Sequence, residues 1–186
     1  NYIARIFEEL PGVVLPIMVI NVLGAEKNAY FFIAWQISML LLAIPRFTSM
    51  SLIAEGSHNI RKLERDTKRA TKFVLLLIGV AIVVLFLFGK HLLWIFGKDY
   101  VENSFDVLML LVLGDVFFAL NAINASVKRV LKEIKPIMWI YGNISVITLV
   151  ASYFMMQTIG MLGIGVAWIL SNALAAGGIY GRKIQM

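Results

Sequence analysis

A run of sixteen residues, Phe73 to Phe88, contains no charge and no strongly polar side chain. A soluble fold needs a hydrophilic covering on its surface elements, so a block of this kind belongs in the hydrocarbon of a membrane. Five more segments are apolar with few interruptions. The six lie at about residues 6–24, 28–53, 72–89, 104–126, 136–157 and 162–181, each near the ~20 residues that a helix needs to cross a bilayer core. The composition agrees: 60% of the 186 residues are hydrophobic, 15% are charged, and the mean hydropathy is +0.85, well beyond a soluble domain. The sequence therefore predicts an all-α membrane protein, a bundle of six transmembrane helices.

Connections around Ala25–Lys27 and Thr158–Met161 are very short, which makes the spans they join antiparallel. An even number of spans puts both ends on one side. Cations decide which side, because Lys and Arg in short loops stay in the cytoplasm. Arg61, Lys62, Arg65, Lys68, Arg69 and Lys72 share one loop; Lys128, Arg129, Lys132 and Lys135 share another; Arg182 and Lys183 close the chain. All of these fall on one side, against Lys27, Lys90 and Lys98 on the other. The expectation is one bundle over residues 1–186 in the plasma membrane, with both ends and a basic loop at 56–72 in the cytoplasm. The net charge of +6 thus reads as a membrane-face bias and not as a nucleic-acid surface.

There is no cysteine, and His58 and His91 stand alone without ligand spacing, so no metal or other cofactor is implied. No span pairs catalytic carboxylates or a nucleophile with a base, which argues against an enzyme. The chain begins at Asn1 without a basic n-region or a cleavage site, and reads as cut from something longer.

Within the spans, Pro11, Gly12 and Pro16 interrupt the first and Pro45 the second. Each proline frees a backbone carbonyl and favours a kink, tolerated where a neighbour or a wet cavity satisfies it. The outer connection Gly89–Tyr100 carries Leu92, Leu93, Trp94, Ile95 and Phe96, which predicts a short amphipathic stretch lying at the interface. The last span is lined with small residues, from Gly163, Gly165 and Ala167 through Ser171 to Gly177, Gly178 and Gly181, the composition of a closely packed helix.

The order of several motifs is familiar. Leu10-Pro11-Gly12-Val13-Val14-Leu15-Pro16-Ile17, Leu23-Gly24-Ala25 and Ala29-Tyr30-Phe31-Phe32-Ile33-Ala34-Trp35 resemble the start of the C-terminal half of polysaccharide-biosynthesis flippases, the O-antigen flippase-like branch of the MOP (MATE-like) superfamily. Ser51-Leu52-Ile53-Ala54-Glu55-Gly56-Ser57 is similar to a signature of that family, with Ile53 in place of phenylalanine. Leu93-Trp94-Ile95-Phe96-Gly97 with Tyr100, and then Gly160, Gly163, Gly165 and Ala167-Trp168, continue the likeness along nearly the whole chain. The resemblance implies one half of a two-bundle, MATE-like transporter whose N-terminal six-helix half is missing here. It further implies a lipid-pyrophosphate-linked oligosaccharide as cargo, flipped from the cytoplasmic leaflet outward by alternating access.

Charges inside the spans are the candidate site residues. Arg46 follows Pro45 where an unpaired cation costs at least a few kcal/mol, and counting from Glu55 at about 1.5 Å per residue sets it roughly 14 Å from the cytoplasmic end. It can contact the pyrophosphate there; snorkelling or a structural ion pair is the alternative. The family pattern usually has an uncharged residue at this position, so Arg46 stands on its own charge and burial. Asp115, in the middle of the fourth span, lies within about 6 Å of Arg46 in depth, which predicts a switchable pair if the helices adjoin. Unpaired, it is a candidate for proton or sodium coupling, with a structural ion pair or an interhelical hydrogen bond as the alternative. Asn121 and Asn124 share a helix face at the depth of Asn143, the pattern of hydrogen bonding between the two helices of a hairpin. Arg61, Arg65, Lys68 and Lys72 recur at near-helical spacing, so a short helix there presents a cationic face to anionic membrane lipids or to the substrate.

Two other functions fit the same sequence. An ion-coupled multidrug exporter of the superfamily is one, with Arg46 counting mildly against it. A membrane scaffold that docks glycosyltransferases and transports nothing is the other.

Overall fold

The computed structural model describes residues 2–183, with side chains through residue 178. Seven helices and no strand occur among the described residues: α1 (Tyr2–Leu23), α2 (Ala25–Leu41), α3 (Ala43–His58), α4 (Leu63–Trp94), α5 (Lys98–Val130), α6 (Ile134–Ile159) and α7 (Leu162–Lys183). α2 and α3 form one span, Ala25–His58, so the helices make six passes. Five of the passes are long and apolar enough to cross a membrane, and α7 adds a shorter apolar stretch, Leu162–Gly178. The all-α, six-pass architecture expected from the hydrophobic blocks is the one observed.

Proline chemistry explains where the helices bend. Pro45 has no N–H to offer the carbonyl of Leu41, and the second pass breaks at Leu42, whose own N–H bonds the Ser38 carbonyl. α1 runs unbroken through Pro11 and Pro16. Pro11 deprives the Phe7 carbonyl of its helical donor, and the Ser145 hydroxyl of α6 donates to that carbonyl instead. A helix defect thus becomes a bond between helices.

The turns opposite the basic end use Gly24, Gly97 and Gly160, with φ of 94°, 125° and 61°, conformations that an L side chain resists. α5 is the centre of the bundle. It packs against α2, α3, α4 and α7, and buried residues recur along it from Ser104 to Val130. α4 is peripheral, with Phe73, Leu76, Val83, Phe86 and Phe88 all more than half exposed, as suits a helix whose outer face meets lipid.

The basic connection over residues 56–72 is itself mostly helix: α3 continues to His58, a 3₁₀ turn spans Ile60–Lys62, and α4 begins at Leu63. Thr67 and Thr71 bond carbonyls one turn back, and Lys68 pairs with Glu64 at 2.8 Å, so the polar part of α4 is held by its own side chains after the apolar run stops. At the opposite end, no separate interfacial helix forms over Gly89–Tyr100. α4 carries on to Trp94, and the N–H groups of Phe96 and Gly97 close the turn onto Leu93 and Trp94.

Close packing through small residues holds for the first half of α7. A Cβ added at Gly165 would stand 2.5 Å from Leu110 Cβ, and one at Gly163 would stand 2.6 Å from the Met155 carbonyl carbon. Gly177 and Gly178 touch nothing within 4 Å of such a Cβ, whereas Ala176 just before them is buried, so the packed part of the small-residue stripe stops there among the residues whose side chains are described. The side chains of Gly181's neighbours Arg182 and Lys183, counted above in the charge bias, lie outside the described residues.

Candidate functional site

Asp115 is fully buried on α5. A carboxyl group removed from water must find hydrogen-bond partners or lose several kcal/mol. Ser38 Oγ of α2 donates to Oδ2 at 2.7 Å, and Trp168 Nε1 of α7 donates to Oδ1 at 3.0 Å. The indole is fixed in turn: it stacks on Phe118 with centroids 5.8 Å apart and meets the edge of Trp35 at 5.4 Å. Gly114 leaves the space it occupies, since a Cβ there would stand 2.3 Å from Trp168 Cδ1.

From Trp168 a polar seam continues through the core. Ser171 Oγ and Asn172 Nδ2 both donate to the Trp168 carbonyl, at 3.1 and 2.9 Å, and Thr148 and Ser171 share a hydroxyl contact of 2.6 Å. Asn121 Nδ2 donates to the Asn172 carbonyl at 2.9 Å. The amide oxygens of Asn121 and Asn172 are buried without a protein partner. The expectation that Asn121 and Asn143 bond across the α5–α6 hairpin is therefore wrong: Asn121 turns to α7, Asn124 is only half-buried, and Asn143 is exposed. α7 packs more broadly on α5 than α6 does, and it takes the inward-facing amide.

Arg46 and Asp115 form no ion pair, contrary to the spacing argument. Both Asp115 oxygens are already engaged by neutral donors, and Arg46, just past the Leu42 break, turns toward α1. There Arg46 Nε lies 3.8 Å from Glu8 Oε1 and Nη2 lies 3.9 Å from Glu9 Oε1. Glu8 also faces Arg129 at the end of α5, with Oε2 3.6 Å from Nη2, and the Arg129 guanidinium sits 5.9 Å from the ring centre of Tyr141 on α6. α1, α3, α5 and α6 thus converge on one charged knot at the basic end of the bundle. The sequence reading missed Glu8, although two adjacent glutamates between Phe7 and Leu10 in an apolar helix were a signal for it.

The remaining candidates stand apart from this knot. Arg61 is exposed in the 3₁₀ turn, while Arg65 pairs with Asp66 at 3.3 Å and Lys68 with Glu64 at 2.8 Å. Arg65, Lys68 and Lys72 are exposed while Leu63 and Val74 of the same helix are buried, so the start of α4 is amphipathic with a cationic outer face. Between α3 and α4, Thr48, Ser51, Glu55, Asp66 and Arg69 line an open groove of about 360 Å³. Among the described residues no group of His, Asp or Glu is arranged to hold a metal ion.

A polar seam and a charged knot do not by themselves name a function, and comparison with known proteins narrows the choice. The family model described as MatE matches residues 2–154. The chain belongs to the MatE family. Among curated proteins this MatE chain is 28% identical over 176 residues to a "Putative O-antigen transporter" of Shigella flexneri, an alignment that takes in 91% of the chain and 42% of that protein. Its fold matches the lipid II flippase MurJ in an inward closed conformation with a TM-score of 0.81 at 13% identity, over 93% of the chain and 39% of the flippase. It also matches an inward-facing multidrug resistance MATE family transporter of the MOP superfamily with a TM-score of 0.78 at 19% identity, over 97% of the chain and 44% of that structure. At those identities the structural matches establish the fold alone. The MatE chain thus spans about two-fifths of the length of the relatives it matches. The family resemblance read from the motifs holds, these relatives are transporters and flippases and not enzymes, and the chain is a multi-pass helical member of the MatE family.

Proposed function

We propose that this chain is the C-terminal bundle of a two-bundle transporter that flips a lipid-pyrophosphate-linked oligosaccharide from the cytoplasmic to the outer leaflet by alternating access, in a plasma membrane with its basic end toward the cytoplasm. The observation that carries this reading is Arg46, a half-buried cation in a kinked pass whose Nε is buried and without a hydrogen-bond partner. A guanidinium with unused donors is suited to phosphate oxygens, which it binds in a bidentate fork. The likeness to an O-antigen transporter points to the same cargo.

In this scheme Arg46 holds the pyrophosphate, Arg61, Arg65 and Lys68 gather anionic lipid and substrate near the membrane surface, and Asp115 binds the coupling proton or sodium ion. The N-terminal half supplies the opposite wall of the pathway. Arg46→Ala in the full-length transporter should insert normally and lose most flipping of a fluorescent polyprenyl-pyrophosphate oligosaccharide in proteoliposomes. Arg46→Lys should keep part of it, because a point charge still attracts phosphate while the fork is lost. Full activity in Arg46→Ala would sink the assignment.

A second reading, ion-coupled multidrug export, is favoured by a wholly buried carboxyl group held by Trp168, whose indole packs on Trp35 and Phe118, in a fold shared with a multidrug transporter. It calls for transport of organic cations that does not depend on Arg46.

A further inference from the structure

Glu8 lies between two guanidinium groups on different helices. Its oxygens stand 3.8 Å from Arg46 Nε and 3.6 Å from Arg129 Nη2, close enough for charge attraction but longer than the ~2.7–2.9 Å of a charged hydrogen bond. The fit is loose on the arginine side as well, since Arg46 Nε is buried without a hydrogen-bond partner. Exposure is unequal: the Glu8 side chain is 13% exposed, whereas those of Arg46 and Arg129 are 36% and 35% exposed. The two cations keep open faces while the anion sits behind them. Arg129 is further steadied over Tyr141, a ring that is 2% exposed.

Glu9 also stands 3.9 Å from Arg46 Nη2, but its side chain is more than half exposed, and Glu8 is the carboxylate that both arginines share. That shared group brings a single charge and two oxygens to two forks that each present a pair of parallel donors. A pyrophosphate brings more charge and oxygens on two phosphorus centres, and so can satisfy both forks together. We infer that Arg46 and Arg129 form a single pyrophosphate site and that Glu8 is its resident anion, displaced when the pyrophosphate binds. The inference rests on the substrate reading of Arg46 given above, adds Arg129 as the second phosphate ligand, and makes Glu8 a competitor. Competition has a use in a transporter: Glu8 neutralises two arginines at the membrane edge when the site is empty, and it weakens binding enough for the cargo to leave.

The test measures dissociation constants of the full-length transporter in detergent for two probes, inorganic pyrophosphate and geranylgeranyl pyrophosphate. Removing the competing charge in Glu8→Gln should tighten both by about tenfold, the scale expected for two partly exposed ion pairs, and Arg129→Gln should weaken both by a similar factor. Tightening confined to geranylgeranyl pyrophosphate also supports the site and shows that the lipid chain is needed to bring the phosphates to it. Glu8→Asp, whose carboxylate falls one methylene short of the arginines, should tighten binding less, and it carries the test if Glu8→Gln does not fold. Wild-type binding with unchanged or weaker binding in the folded Glu8 variants overturns the role of Glu8 alone. Failure of both variants to fold overturns it too, since an anion the fold cannot lose is not displaceable. No binding of either probe by the wild type overturns the substrate reading of Arg46 along with it.

Discussion

Gly114→Ala adds one carbon at the point where α5 and α7 come closest around the buried carboxyl group. The new Cβ would lie 2.3 Å from Trp168 Cδ1 and 3.0 Å from Nε1, against a normal contact of about 3.5–4.0 Å. The indole must retreat by more than an ångström, but Phe118 and Trp35 pack it and its N–H is committed to Asp115. Overpacking of this kind costs about 1–3 kcal/mol, and losing the hydrogen bond to a buried carboxyl group adds about 1–3 kcal/mol. Better helix propensity of Ala returns about 1 kcal/mol, so a net loss of about 1–5 kcal/mol is expected. Gly79→Ala is the control, because its Cβ meets nothing within 4 Å on the exposed side of α4. Thermal unfolding of the detergent-solubilised full-length protein should show Gly114→Ala clearly destabilised and Gly79→Ala unchanged or improved. Equal melting of the two variants would refute the argument that Gly114 exists to seat Trp168 against Asp115.

Other expectations follow from the same geometry. Asp115→Asn should fold, because its amide oxygen can accept from Trp168 while its NH₂ donates to a rotated Ser38 hydroxyl, and the stability change should stay within about 1 kcal/mol; transport should nevertheless lose its dependence on a proton or sodium gradient, and a retained dependence would exclude Asp115 as the coupling group. Single cysteines placed in this cysteine-free chain at Glu26 and Lys98 should react with an impermeant thiol reagent in intact cells, and one at Lys68 only after permeabilisation. The reverse labelling pattern would invert the proposed orientation.

The six passes were legible because each needs an apolar block, and a block such as Phe73–Phe88 has no other reading in a folded protein. Hydropathy reports contact with lipid and not helix length, which is why the start of α4 at Leu63 and its end at Trp94 were both missed. Pro45 marked the break in the second pass correctly, since a missing N–H acts locally. Partners across helices were a different matter. Asp115 and Trp168 are 53 residues apart, and nothing in either neighbourhood says that α5 rests on α7 at that depth. The depth argument that joined Arg46 to Asp115 placed both along the membrane normal but could not say which helix each faced. Glu8 captured Arg46 because α1 and α2 run back side by side from the Gly24 turn, and the long Arg46 side chain, on α3 just past the Leu42 break, reaches across to α1.

The most direct test of the transport assignment sets two cargoes against each other in one preparation of the full-length protein. Proteoliposomes are assayed in parallel for flipping of a fluorescent polyprenyl-pyrophosphate oligosaccharide and for gradient-driven movement of an organic cation dye, with wild type and Arg46→Ala. The lipid-linked saccharide should be flipped by the wild type, with the rate falling about tenfold or more in Arg46→Ala, as expected when a charge-assisted phosphate contact is removed, and the dye should not move. Dye transport that is indifferent to Arg46, without flipping of the saccharide, would contradict the assignment and leave the multidrug reading in its place.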